Sequence, residues 1–150
     1  MPITINSPLS LYSIPAVWLI GFYPFNAKFR LIKNTIGWDN VQPRQNRDRV
    51  AAKAPQILGK VDRYQGAHDN GHEIFPLWAA AVLAGNYAGL SQSTLNAFSL
   101  TFVGLRLLYN YIYINQSSRG SSAARSLTYF GGLLTPLGLF VAAVNNLHQL

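Results

Sequence analysis

The stretch RYQGAHDNGHEIFP, residues 63–76, gathers Arg63, His68, Asp69, His72 and Glu73 just before the chain turns apolar. His68 and His72, like Asp69 and Glu73, are four apart, so on a helix each pair shares a face and the polar groups sit on its first turns, at the membrane boundary. Downstream, FVGLRLLYNYIYI places Tyr109, Asn110 and Tyr113 at +3, +4 and +7 from Arg106. On a helix these four share one face. An arginine inside an apolar segment costs roughly 2.5–3.5 kcal/mol on insertion scales unless it faces protein and finds a partner. Glu73 is the acid nearest an apolar segment and is the expected partner of Arg106. His68 and His72, four apart, have metal-ligand spacing. The third histidine, His148, lies at the far end of the chain, so no metal site is expected. Tyr109 and Tyr113 also suit a membrane aromatic belt. Sharing a face with Arg106 draws them to a polar cavity between helices instead.

Four stretches must position these groups. They run from about 8–27, 74–90, 94–114 and 127–147, and only Arg106 interrupts them with charge. The chain is 49% hydrophobic and 11% charged, against about a quarter charged in soluble domains. A spanning helix needs about 20 residues. The second stretch reaches that length if its helix starts near Gln56, inside the polar segment. The expected fold is an all-α integral membrane bundle of four transmembrane helices, at about 8–32, 56–90, 94–115 and 125–147. A loop at about 34–55 separates the first two. Pro15, Pro24, Pro76 and Pro136 fall in helices, where membrane neighbours can satisfy the freed carbonyls.

The charges argue for a bilayer partner and against nucleic acid. Nine of the twelve Lys and Arg residues fall between 28 and 63, and Arg119 and Arg125 fall between the third and fourth helices. The basic loops should therefore be cytosolic, with both termini on the other side. No cleaved signal is expected at the start. Without cysteine, thiolate nucleophiles and disulfides are excluded.

The segment Ala67-His68-x-Asn70-x-x-Glu73 with Pro76, followed by RLLYNYIY and RSLTYF, resembles MAPEG, the membrane-associated proteins in eicosanoid and glutathione metabolism. The resemblance covers nearly the whole chain except an expanded loop at about 34–58. It implies a homotrimer of four-helix bundles in the endoplasmic reticulum or another endomembrane. Glutathione would be the co-substrate, bound between subunits near the cytosolic face. Carried over by position, Asn70, Glu73, Arg106, Tyr109 and Tyr113 correspond to glutathione-binding positions, and His68 belongs to the same pattern. Lys28 or Arg30 would reach a neighbouring subunit's site. Arg125 would be the catalytic residue that activates the thiol. Gly66 stands where catalytic relatives carry arginine, and Gly71 where several carry aspartate. Arg63, one turn earlier, is the residue placed to replace the missing clamp. The implied activity is glutathione transfer to lipophilic electrophiles or reduction of lipid hydroperoxides. The alternatives are a non-catalytic lipid-binding or scaffold member of the same fold, and a small channel or transporter subunit.

Overall fold

The computed structural model describes residue 4 and residues 6 to 148. The expectation that both termini share one side of a membrane falls partly on 1–3, 5, 149 and 150, outside the described residues. Five α-helices form: α1 (Ser13–Ile36), α2 (Asn46–Lys53), α3 (Leu58–Tyr87), α4 (Gln92–Asn115) and α5 (Arg119–Leu147). No strand occurs among the described residues. The four long helices make one bundle. α1 packs along α3, α5 packs along α4, and α3 also meets α4 and α5.

Local chemistry sets the ends. Ser91 caps α4 by accepting the Thr94 amide at 3.2 Å. Ser118 and Ser121 form a reciprocal capping box that starts α5. Both satisfy amides that a helix start leaves unpaired. Within α1, Pro24 has no N–H to offer the Ile20 carbonyl one turn back. The side chain of Asn110 on α4 supplies it, with Nδ2 donating to Ile20 O at 2.8 Å. His68 Nδ1 lies 3.0 Å from Gly21 O and must be the donor there. The turn of α1 that carries Pro24 is thus tied to α4 and α3 by side chains.

Packing is closest where α1 crosses α3. A Cβ on Gly71 would lie 2.7 Å from Gly21 Cα, so neither backbone could approach if Gly71 carried a side chain. The main core centres on Trp78 and Phe102, whose rings stack at 4.2 Å. The buried indole N–H of Trp78 donates to Ser13 Oγ at 3.2 Å.

Residues 37–57, within the segment expected as a loop, form a small folded cap around α2. Val50 of α2 buries against Ile32 and Val61, which joins the cap to α1 and α3. Asn46, 1% exposed, donates to the carbonyls of Asp39 and Pro43 and accepts from the Asp39 amide. Arg47 grips Asp62 of α3 through two bonds, at 2.7 and 2.9 Å.

α4 and α5 are each long and apolar enough to cross a membrane. Leu100, Leu107, Leu127, Leu134 and Val141 lie exposed along them, as lipid contact requires and water disfavours. α1 and α3 are as long, but each carries charge toward the end that bears the cap. That end, with the cap and the α4–α5 connection, is called the basic end below.

Candidate functional site

α3, α4 and α5 surround a hollow of about 360 Å³. Asn70, Tyr109, Tyr113 and Arg125 line it, together with Ser126, Tyr129 and Phe130. Four of the ten residues singled out in the sequence thus meet in one place. Tyr129 was missed. It stands four residues after Arg125, on the same helical face, which was the available signal.

Arg106 lies beneath this hollow, 2% exposed. Its Nη2 donates to Asn70 Oδ1 at 2.9 Å, and its guanidinium stacks 4.4 Å from the Tyr109 ring centre. Nη1 is buried and has no hydrogen-bond partner among the described residues. The expected Glu73–Arg106 pair does not form. Glu73 is exposed, and the ion pairs found among the described residues join Arg47 to Asp48 and to Asp62. Residues three apart on a helix point about 60° apart, since each turn holds 3.6 residues. Asn70 therefore faces the bundle while Glu73 turns out of it. The result is a buried cation held by an amide and an aromatic face, with no acid beside it.

Gly66 has a specific use. A Cβ there would lie 2.9 Å from Cζ of Tyr113, and closer still to its hydroxyl. The phenol of Tyr113 therefore occupies the space over Gly66. Its ring in turn lies under Arg125, with the guanidinium carbon 5.2 Å from the ring centre. A cation over a tyrosine face is held by the ring quadrupole. Gly66, Tyr113 and Arg125 form a stack from α3 through α4 to α5. Arg125 also donates to Gln116 Oε1 at 3.2 Å.

Beside the hollow, and sharing Arg125 with it, an open pocket of about 480 Å³ is lined by Arg63, Arg119, Gln116 and three serines. Arg63 reaches across from α3 and donates to the Ile114 carbonyl at 3.0 Å. That bond satisfies one of the carbonyls that the end of α4 leaves unpaired. The pocket has three guanidinium groups and no carboxylate, so it favours anions.

The other candidates lie elsewhere. His68 and Lys28 line a separate cavity of about 470 Å³ between α1, α3 and the cap. Lys28 donates there to Gln65, which donates to Asp69 at 2.7 Å. His68 packs edge-on against His72, ring centres 4.4 Å apart. Arg30 is exposed on α1. Lys28, Arg30, His68 and Glu73 therefore do not reach the Arg125 hollow of their own chain. Tyr109, 3% exposed, is no belt residue.

Residues 9–145 match the model of the MAPEG family. The chain belongs to the MAPEG family. No curated protein and no solved structure matches it. The family is a membrane helical bundle, and its members serve glutathione and eicosanoid metabolism in general. In this MAPEG chain the Ala67-His68-x-Asn70-x-x-Glu73 pattern on α3 supplies Asn70 to the hollow and Glu73 to the outer face. The RLLYNYIY segment supplies the tyrosine wall, and RSLTYF supplies Arg125 and Tyr129.

Proposed function

We propose that this protein is an integral membrane glutathione-dependent enzyme. It transfers glutathione to lipophilic electrophiles or uses it to reduce lipid hydroperoxides. The observation that carries the reading is the convergence of Asn70, Tyr109, Tyr113 and Arg125 on one hollow, above a buried arginine with no acid beside it. Cationic sites without internal counter-charge suit an anionic guest. Glutathione brings two carboxylates and, when ionised, a thiolate.

The carboxylates fit the arginine pocket, where Arg63 and Arg119 offer forked donors. Arg63, one turn before Gly66, supplies the carboxylate clamp, and Tyr113 fills the space over Gly66. The thiol belongs near Arg125, whose guanidinium favours thiolate. A free thiol has pKa about 8.5, so only a few per cent is ionised at pH 7. The thiolate sulfur attacks the electrophilic carbon of a conjugation substrate and forms a C–S bond, while the electron pair leaves with a departing anion such as halide or goes to an epoxide oxygen that then takes a proton from water. With a hydroperoxide it attacks the peroxide oxygen. The lipid alcohol leaves, and the resulting sulfenate takes a second glutathione to give water and glutathione disulfide. Tyr109, Tyr113 and Tyr129 line the route with hydroxyls that can hold the developing oxyanion.

A homotrimer completes the arrangement. Exposed Glu73 and Arg30, and the Lys28 and His68 side of α3, would then be offered to neighbouring copies, with Glu73 suited to the glutathione amine. The basic end faces the cytosol in this reading, within an endomembrane. The second reading is a non-catalytic lipid-binding or scaffold member, favoured by the loss of an arginine at Gly66. Thiolate absorbance on adding glutathione to the detergent-purified protein separates the two. The enzyme gives a saturable thiolate signal and turns over a generic electrophile, whereas the scaffold gives neither.

A further inference from the structure

The cavity of about 470 Å³ between α1, α3 and the cap shares no residue with the Arg125 hollow or with the arginine pocket. Its volume falls in the range of small-molecule sites, about 300–1,000 Å³.

The charges on its walls say what it can hold. Lys28, Arg44 and Arg47 line it against Asp62 and Asp69, which leaves one net positive charge with histidine counted neutral. Arg47 is already committed to Asp62 through two bonds. Lys28 is half-buried, and the ion pairs found among the described residues do not include it. One of its three donors meets Gln65 Oε1, and Gln65 in turn donates to Asp69, so the amide stands between lysine and acid. Arg44, exposed on the cap, has no ion pair there either. A part-buried ammonium without a counter-ion is costly, and a bound anion relieves that cost. One net charge suits a monoanion. A phosphate dianion would exceed it and face two carboxylates.

The rings say what the rest of the guest is. Phe25 and Trp38 both line the cavity and stand nearly perpendicular, at 81° with centres 6.3 Å apart. A flat ring stacked on one meets the other edge-to-face, and aromatic pairs favour both arrangements. Lys28 Nζ lies 4.9 Å from the Phe25 ring centre. A carboxylate held by the lysine therefore brings its attached ring beside Phe25.

We propose that this cavity binds a small aromatic monocarboxylate. Its carboxylate lies between Lys28 and Arg44, and its ring packs against Phe25 and Trp38. Lys28 and Phe25 belong to α1, whereas Trp38 and Arg44 belong to the cap, so the ligand fastens the cap to the bundle. The assignment does not depend on glutathione binding.

The test uses the full chain in detergent with 2-aminobenzoate, whose emission is excited by energy transfer from tryptophan. The signal should saturate. 2-Aminobenzamide, of the same shape without the charge, should bind about tenfold more weakly, the scale of one hydrogen bond to a charged group. Benzoate should compete about fivefold better than cyclohexanecarboxylate, the scale of an aromatic pair. Lys28→Gln should weaken binding about tenfold, with Lys28→Arg retaining most of it. Arg44→Gln, at an exposed position, should weaken it about threefold. Arg119→Ala should leave probe binding unchanged. A readout on the unaltered chain keeps the test intact if a variant misfolds: 2-aminobenzoate should slow tryptic cleavage at Arg44, Arg47 and Arg49, and 2-aminobenzamide at the same concentration should not. Any one of five results overturns the assignment: no saturable signal, equal binding of the amide, equal competition by the saturated ring, binding lost in Arg119→Ala, or cap cleavage unaffected by the bound acid.

Discussion

At the scale of single residues, the account rests on how Arg106 and Arg125 are held. Among the described residues Asn70 is the one hydrogen-bond partner of the Arg106 side chain, so Asn70→Ala should destabilise the bundle. A hydrogen bond to a charged group contributes about 1.5–3 kcal/mol. The expected result is a lower melting temperature in detergent, with Asn70→Asp recovering part of the loss by pairing the cation. Arg125 touches no buried core, and Arg125→Ala should leave melting nearly unchanged. It should lower conjugation about 100-fold, the scale of removing one electrostatic stabiliser, while glutathione binding persists through Arg63 and Arg119. Gly66→Ala should push Tyr113 out from under Arg125. Steady-state kinetics should then show a fall in kcat, and pairing the change with Tyr113→Ala should restore part of it. Additive losses in the double variant would show that the two residues are not coupled.

The elements explain why some of this was legible in the sequence and some was not. Arg106, Tyr109 and Tyr113 could be placed on one face because i, i+3 and i+7 fix a side of a helix without reference to neighbours. Arg125 was singled out by the resemblance of RSLTYF to the family, at the expected start of the fourth helix; the Ser118 cap starts α5 earlier, at Arg119. Periodicity does not say which residue of a neighbouring helix a side chain meets. On paper Glu73 was the expected partner of Arg106, as the acid nearest an apolar segment; its direction on α3 turns it outward and leaves Asn70 to meet the cation. Nor does local pattern reveal that Pro24 on α1 needs Asn110 on α4, 86 residues away. The cap was the least legible element. Its fold depends on Asn46 bridging Asp39 and Pro43, and on Val50 meeting Ile32 and Val61. Each of those contacts is set by tertiary placement.

Two expectations belong to this cap. Val50→Asp buries a charge in its small core and should release residues 37–57, seen as rapid proteolysis there while the four long helices stay protected. Acid should loosen the cap too. The Asp39 carboxylate accepts the Val41 and Gln42 amides at 2.8 and 3.1 Å, which holds its pKa below the ordinary carboxylate value. A depressed pKa contributes stability that is fully present above about pH 3.9. It is lost as pH falls through the depressed value. Pepsin cleavage within the cap should rise over that acid range, and Asp39→Asn should flatten the dependence.

At the scale of the whole molecule, one chain supplies the arginines, the amide and the tyrosine wall, while Glu73, Arg30 and Lys28 point away from them. A single bundle would leave Glu73 and Arg30 without a role at the hollow, while Lys28 bonds Gln65 beneath the cap; a trimer would use Glu73 and Arg30. Native mass spectrometry from mild detergent should show three copies, and Glu73→Gln should weaken glutathione binding although Glu73 touches nothing in its own hollow. Monomers that bind glutathione as tightly as the assembled protein would contradict a shared site.

The most direct measurement is the ultraviolet thiolate signal of glutathione titrated into the purified protein at neutral pH, side by side with Arg125→Ala. The account predicts a saturable thiolate band of about one per site in the native chain, and a bound but protonated thiol in the variant. A native protein that binds glutathione with no thiolate band, or a variant whose band is undiminished, would contradict it.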